Sequence, residues 1–257
     1  MAVGGTGLMS RMLDARTTRG WDRAARRAAD MDLADLARLR DHAAETKRHV
    51  DRTLLRAEER LALPMIGSAE VPRPAGADWS HRPATWREPA EPVGLVAPAS
   101  GAGLGEGLTL FHDSAASEIT VRQRRLTGSF DLAPFGLEID VLGFGGSFLS
   151  LAVALPPEAA EGLRRSHIVA ARMEIEVEHP VEIFARLNMR HGPNLEQMVR
   201  EAPQEGGTAL VEFYLGYSKV NDKRITDVWL DIIFDDPSYN RVCLRDLTLS
   251  RRPRAEM

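Results

Sequence analysis

The stretch over residues 181–190, VEIFARLNMR, decides the fold. Val181, Ile183, Ala185, Leu187 and Met189 alternate with Glu182, Phe184, Arg186, Asn188 and Arg190. Strict period-two alternation puts the first set on one face of a β-strand and the second set on the other. The same rhythm runs outward in both directions. Ahead of it, Ile119 and Val121, then Leu137, Ile139 and Val141, then Leu149, Leu151 and Val153, then Met173, Ile175 and Val177 keep the alternation. Behind it come Val211, Phe213 and Leu215, then Val228, Leu230, Ile232 and Phe234. Val242 and Leu244 precede a phase change at Arg245–Asp246, after which Leu247 and Leu249 carry the apolar side, as a β-bulge would require. Roughly eight or nine strands with one apolar face each must pair two sheets face to face. Turn signals separate them at Gly143–Gly146, Gly192-Pro193, Gly206-Gly207 and Asp235–Pro237. Short helical pieces are expected at Glu158–Arg165 and Asn194–Arg200. The fold class is therefore mainly β, a jelly-roll-like β-sandwich over residues 105–257.

Upstream the period changes. Over residues 14–62, Trp21, Ala24, Ala25, Ala28 and Met31 recur at helical spacing. Asp32 then stands as an N-cap with Asp35 three residues on. Leu33, Leu36, Leu39, Ala43, Val50, Leu54, Ala57 and Leu61 outline a second helical face. So narrow a stripe must bury itself, either as a helix pair on the main domain or against protein assembly partners. Thr46 and Thr53 interrupt the seam and argue against a long coiled coil. Residues 63–104 read as a Pro/Gly-rich linker, since seven of the 15 prolines lie between Pro64 and Pro98. Trp79 and Trp86 are expected to anchor that stretch on the following domain. Residues 1–13 read as a flexible tail without the charge, apolar run and cleavage site of a signal peptide. A cytoplasmic protein follows, or part of a particle released from the cell by other means.

Composition narrows the chemistry. The 257 residues are 27% charged and 44% hydrophobic, too apolar for a disordered chain. No run of about 18 uncharged apolar residues predicts a membrane-spanning helix. A net charge of -4 makes nucleic acid an unexpected partner. The single cysteine, Cys243, excludes an intrachain disulfide and a cysteine-built zinc site. Of 33 basic residues only Lys47, Lys219 and Lys223 are lysine, which leaves 30 arginines with their planar fork. Gly101, Gly103, Gly105 and Gly107 precede a strand-like run, whereas a phosphate loop must open a helix, so no cofactor is expected. The seven histidines show no metal-ligand spacing, and His112-Asp113 reads as a turn.

One short motif bears on catalysis. Glu138-Ile-Asp140-Val-Leu-Gly143 resembles the catalytic strand of jelly-roll glycoside hydrolases of the laminarinase type, whose pattern is Glu-x-Asp-x-x-Glu. That resemblance implies Glu138 as nucleophile and Asp140 as its assistant. Gly143 stands where the acid/base belongs, and retaining hydrolysis needs both carboxyls. No catalytic residue is therefore assigned, and the chain is expected not to be an enzyme. The face of Phe184, Arg186, Asn188 and Arg190 is a better candidate, with Tyr214, Trp229 and Asp231 at outward phase on later strands. If those strands are neighbours, the set supplies ring stacking plus amide, guanidinium and carboxylate contacts for a polysaccharide. The alternative is that this phase packs under the N-terminal helices, with Phe184 and Trp229 against Trp21 and Leu36.

Several stretches resemble an uncharacterised alphaproteobacterial family of Rhodobacter type: Leu61–Gly67, Leu110–Asp113, Asp131–Gly136, Ile183–Asn188 and Arg245–Arg254. The closing Val242–Ser250 is similar to the last strand of carbohydrate-binding jelly rolls. The resemblance transfers no catalytic residues. It implies a glycan-binding or protein-binding module, or a structural component, such as a head spike, of a phage-like gene transfer particle or of an envelope assembly; the third reading, from the Glu138 motif, is a degenerate relative of the glycoside hydrolases.

Overall fold

The computed structural model describes residues 8–66, 73–115, 118–128 and 131–254. The chain divides into two compact units, residues 1–54 and 55–257. In the first, α1 (Leu8–Arg27) leads through a 3-10 turn (Ala28–Asp30) into α2 (Leu33–Ile66), a helix that begins in this unit and continues past its boundary at Leu54. Of the tail expected over 1–13, residues 1–7 lie outside the described residues, and the helix already begins at Leu8. Asp32 caps α2: its Oδ1 accepts the Ala34 N–H at 2.8 Å and the Asp35 N–H at 3.4 Å. The Trp21 ring stacks on His42, centroids 5.4 Å apart, so α1 folds back along α2. Within residues 17–54 no side chain is buried; Trp21, Ala24, Ala28, Met31, Leu36, Leu39 and Ala43 form a half-buried stripe.

The second unit is the sandwich. In chain order its elements are β1 (Trp79–His81), α3 (Ala84–Arg87), β2 (Gly94–Val96), β3 (Ala102–Gly103), β4 (Leu108–His112), β5 (Ile119–Arg125), β6 (Phe135–Val141) and β7 (Leu149–Ala154). There follow β8 (His167–Val177), β9 (Glu182–His191), β10 (Asn194–Glu201), β11 (Thr208–Tyr214), β12 (Ile225–Asp235) and β13 (Asn240–Pro253). The first sheet runs β11-β8-β13-β6-β5-β2, with β1 added on β13; the second runs β10-β9-β12-β7-β4-β3. All pairings are antiparallel. The result is the jelly-roll-like sandwich that the alternation implies.

The core lies between the sheets, where Leu137, Met173, Phe213, Leu244 and Leu249 of the first meet Leu151, Leu187, Leu230 and Ile232 of the second, all fully buried. Each such side chain contributes about 1.5–3 kcal/mol over its exposed state. The phase slip in the last strand is a bulge: the β13–β8 register shifts between Leu244 and Asp246, leaving Arg245 as the extra residue.

Two expectations are corrected. Asn194–Arg200 is not helical but lies in β10. Gly192, at φ +59°, and Pro193 make a two-residue turn that sets Asn194 opposite His191, and the ladder with β9 outweighs the helix-forming glutamate, glutamine, methionine and arginine. Over Glu158–Arg165 the only helical element is the 3-10 turn Pro157–Ala159.

The described part of the Pro-rich stretch, residues 73–104, is part of the sandwich and not a free linker. Prolines bar long elements, but three-residue edge strands tolerate them. Trp86 is completely buried, and its Nε1 donates to the Leu244 carbonyl at 3.0 Å. Gln123 ties the same segment down: its Nε2 donates to the Thr85 and Glu88 carbonyls, and its Oε1 accepts the Ala90 N–H at 2.8 Å.

Candidate functional site

The outer face of the second sheet is assembled by register. Gln197 of β10 lies opposite Asn188 of β9, which lies opposite Trp229 of β12, which lies opposite Ala154 of β7. The next row is Val199, Arg186, Asp231 and Ala152, and the next Glu201, Phe184, Ile233 and Ser150. Phe184, Arg186, Asn188, Arg190, Trp229 and Asp231 therefore share one face, as their phase implies. Tyr214 does not: its strand, β11, pairs with β8 in the other sheet, and its hydroxyl donates to Glu212 Oε2 at 2.7 Å. Phase alone could not assign it a sheet, because sheet membership is set by long-range pairing.

A polar network wires the face across three strands. Asp231 Oδ2 accepts from Arg186 Nε at 2.8 Å and from Asn188 Nδ2 at 2.8 Å. Asn188 Oδ1 in turn accepts from Gln197 Nε2 at 2.8 Å. Asn188 is wholly buried and Asp231 nearly so, so their mutual satisfaction removes the penalty of burying them. Gln197 is the member that the sequence does not reveal, because the composition of residues 194–200 predicts a helix. Trp229 stands half-buried beside this network, with Arg190 Cζ 6.0 Å from its ring centroid. The arrangement offers a ring face, a fixed carboxylate–guanidinium pair and an exposed amide side by side.

A loop borders the face. Asp113 Oδ1 accepts the N–H groups of Ser147 (2.7 Å) and Phe148 (3.2 Å), while its Oδ2 accepts the Ser147 hydroxyl at 2.6 Å. Hydrogen bonding from Ser147 holds the Asp113 carboxyl below its usual range against burial. Gly146 is required there, since a Cβ would meet Ser114 N at 2.8 Å and Phe144 Cζ at 2.9 Å. The turn expected at His112-Asp113 thus fixes where Phe148 stands.

The hydrolase-like pair lies on the other sheet, in an arginine lattice. Glu138 is 1% exposed and receives Arg122 and Arg124. Burial pushes its carboxyl upward, but the hydrogen bonds from Arg124 and Arg122 outweigh this and hold it below 4.5. Asp140 is engaged by Arg241 at 2.6 Å and by Arg122 at 3.6 Å. Arg245 likewise bridges Asp131 and Glu176. A groove of about 520 Å³ on this sheet includes Arg172, Glu174 and Arg245, whose charges are paired within the sheet. Cys243 lies buried beside Glu176 and Glu138, and burial raises its thiol pKa. Among the described residues no group of three or more histidines, cysteines or carboxylates could hold a metal ion, and no helix is long and apolar enough to cross a membrane.

The profile of a "Family of unknown function (DUF6478)" matches residues 1–257. No curated protein matches the sequence. Among solved structures, the chain is similar to the enzymatically active domain of tailspike protein 4 of bacteriophage CBA120, at 6% identity and TM-score 0.40, over 56% of this chain and 19% of that one. It is similar to a family 11 carbohydrate-binding module from Clostridium thermocellum solved with a mixed-linked tetrasaccharide, at 13% identity and TM-score 0.38, over 62% and 96%. A family 22 carbohydrate-binding module of Clostridium thermocellum Xyn10B gives 10% identity and TM-score 0.38, over 73% and 100%.

Proposed function

We propose that this chain, which belongs to that family of unknown function, is a non-catalytic module that binds a glycan on the outer face of β9, β12 and β7. The observation that carries the reading is Trp229: an indole stands half-buried on a strand face, beside a hydrogen-bonded carboxylate–guanidinium–amide set. Sugars present an apolar ring face and a rim of hydroxyls, which is the complement of that pairing. The non-catalytic part rests on Glu138 and Asp140, whose charges are consumed by Arg122, Arg124 and Arg241. Affinity electrophoresis of the full chain in gels carrying a panel of soluble polysaccharides tests the reading. Retardation by at least one polymer, relieved in Trp229→Ala, is expected, with no release of reducing ends from any. No retardation across the panel, or retardation unchanged in Trp229→Ala, overturns it.

A second reading is a structural part of a phage-like gene transfer particle or an envelope assembly. It is favoured by the helical unit, in which no side chain of residues 17–54 is buried and Val50 and Leu54 are half exposed. An amphipathic hairpin of that kind suits attachment to protein assembly partners. Co-purification of intact particles with the chain, lost on deleting residues 1–54, would favour this reading over a free binding module.

A further inference from the structure

We infer that the end of this sheet face centred on Ser150 is a subsite for the acetamido group of an uncharged N-acetylated sugar, an inference that rests on the glycan reading above. The outward residues of β7 are Ser150, Ala152 and Ala154, flanked on one side by Trp229, Asp231 and Ile233 of β12. On the other side stand Thr109 and Phe111 of β4. Small side chains between taller ones make a floor. That floor deepens along the strand: Ala154 is exposed, Ala152 half-buried and Ser150 only 5% exposed.

The Ser150 hydroxyl has no hydrogen-bond partner among the described residues, although its residue is nearly buried. Around it stands an apolar collar. Phe111 and Ile233 are its direct cross-strand neighbours, Phe184 follows in the same row, and Phe148 is held by Asp113 at the start of the strand. Phe111 and Phe148 are each 40% exposed. A lone hydroxyl within a ring of apolar groups fits one substituent well: the carbonyl of an acetamido group accepts from Ser150 Oγ while its methyl lies against the rings. A bare sugar hydroxyl placed there would accept the same bond but leave its own O–H unpaired among the apolar groups and bring no methyl to lay against them, which disfavours it. Charge excludes a polyanion. Beside Arg186 and Arg190 the outward positions of β9, β10 and β12 carry Glu182, Glu201, Asp227 and Asp235, so the face repels uronates and sulfated chains.

Isothermal titration of the full chain with three probes tests this: the tetramer of N-acetylglucosamine, the β-1,4 tetramer of glucose, and polygalacturonate. The N-acetylated tetramer is expected to bind at least about tenfold more tightly than the glucose tetramer. Ser150→Ala should remove about fivefold of that preference, the worth of one hydrogen bond. Ala152→Leu, which fills the floor, should abolish binding of both tetramers while the melting temperature holds. Equal affinity for the two tetramers, or an undiminished preference in Ser150→Ala, overturns the acetamido subsite; if Trp229→Ala still weakens both, the glycan reading stands. Tight binding of polygalacturonate overturns the uncharged-ligand assignment. Failure of all three probes, together with an unretarded chain across the polysaccharide panel, overturns both.

Discussion

Arg82 and Asp246, 164 positions apart in the chain, meet in a two-pronged buried pair, with Nε to Oδ1 and Nη2 to Oδ2 both at 2.8 Å. Each side chain is 6% exposed. Removing one partner strands a buried charge, whereas removing both does not. Arg82→Ala is expected to cost about 3–5 kcal/mol of stability, and Arg82→Met with Asp246→Leu markedly less. Urea denaturation of the three chains checks this, and equal losses in the single and double variants would contradict it.

The same pair defines the boundary of the foldable unit. A chain beginning at residue 63 keeps β1, Arg82 and Trp86 and should melt cooperatively with a β-type circular dichroism spectrum. A chain beginning at residue 89 loses all three, and with them the partners of Asp246 and of the Leu244 carbonyl. It is expected to lose its near-ultraviolet signal and its cooperative transition.

The binding face separates into a probe residue and supporting residues. Trp229→Ala should weaken glycan binding about tenfold or more with a melting temperature close to that of the parent, since one ring contact is at stake. Asp231→Ala should instead destabilise the fold by about 1–3 kcal/mol, because buried Asn188 keeps the Arg186 carbonyl but loses its shorter acceptor, and Arg186 loses its carboxylate. Arg186→Ala falls in the second class as well, for it leaves buried Asp231 with a single donor. Calorimetric melting beside titration distinguishes the two effects.

Acid stability should carry the signature of His81. Burial, aided by the nearby Arg87 charge and opposed by Glu158, lowers its pKa from 6.5 to about 4. The fold therefore holds the ring neutral while the unfolded chain protonates near 6.5. The stabilisation is complete above pH 6.5, declines as pH falls, and is gone below about 4. His81→Gln should flatten the melting temperature between pH 6.5 and 4, leaving a residual slope from His167, which burial also pushes down. An unchanged slope would show that the ring is solvated in the fold.

What was legible in the sequence is what alternation encodes. The strand over 181–190, its partner around Trp229 and the bulge at Arg245 all follow from which residues are apolar and where the phase slips. Alternation is silent on neighbours, so by phase alone Tyr214 groups with residues of the opposite sheet. It also fails where composition and pairing disagree. The strand carrying Gln197 is built from helix-forming residues, and only the turn at Gly192 and Pro193 commits it to β9. The three-residue strand around Ser80 is too short to show any period, and its prolines spoke for a loop. Ser150 was invisible for a different reason: an unpartnered hydroxyl is a property of the assembled rows.

The pairing of β1 with β13 has a mechanical meaning. Trp79 lies opposite Arg251, Ser80 opposite Ser250 and His81 opposite Leu249, so the chain enters this ladder beside the point where it leaves. Tension on the two ends would load these rungs one after another, as in opening a zip, and not all together. Three rungs resist little. The next residue is Arg82, gripping Asp246, with the Trp86 indole seated in the core four positions on. Under load β1 peels first, and this catch is where the peeling stalls, so the sandwich can hang from its two adjacent ends without its sheets parting.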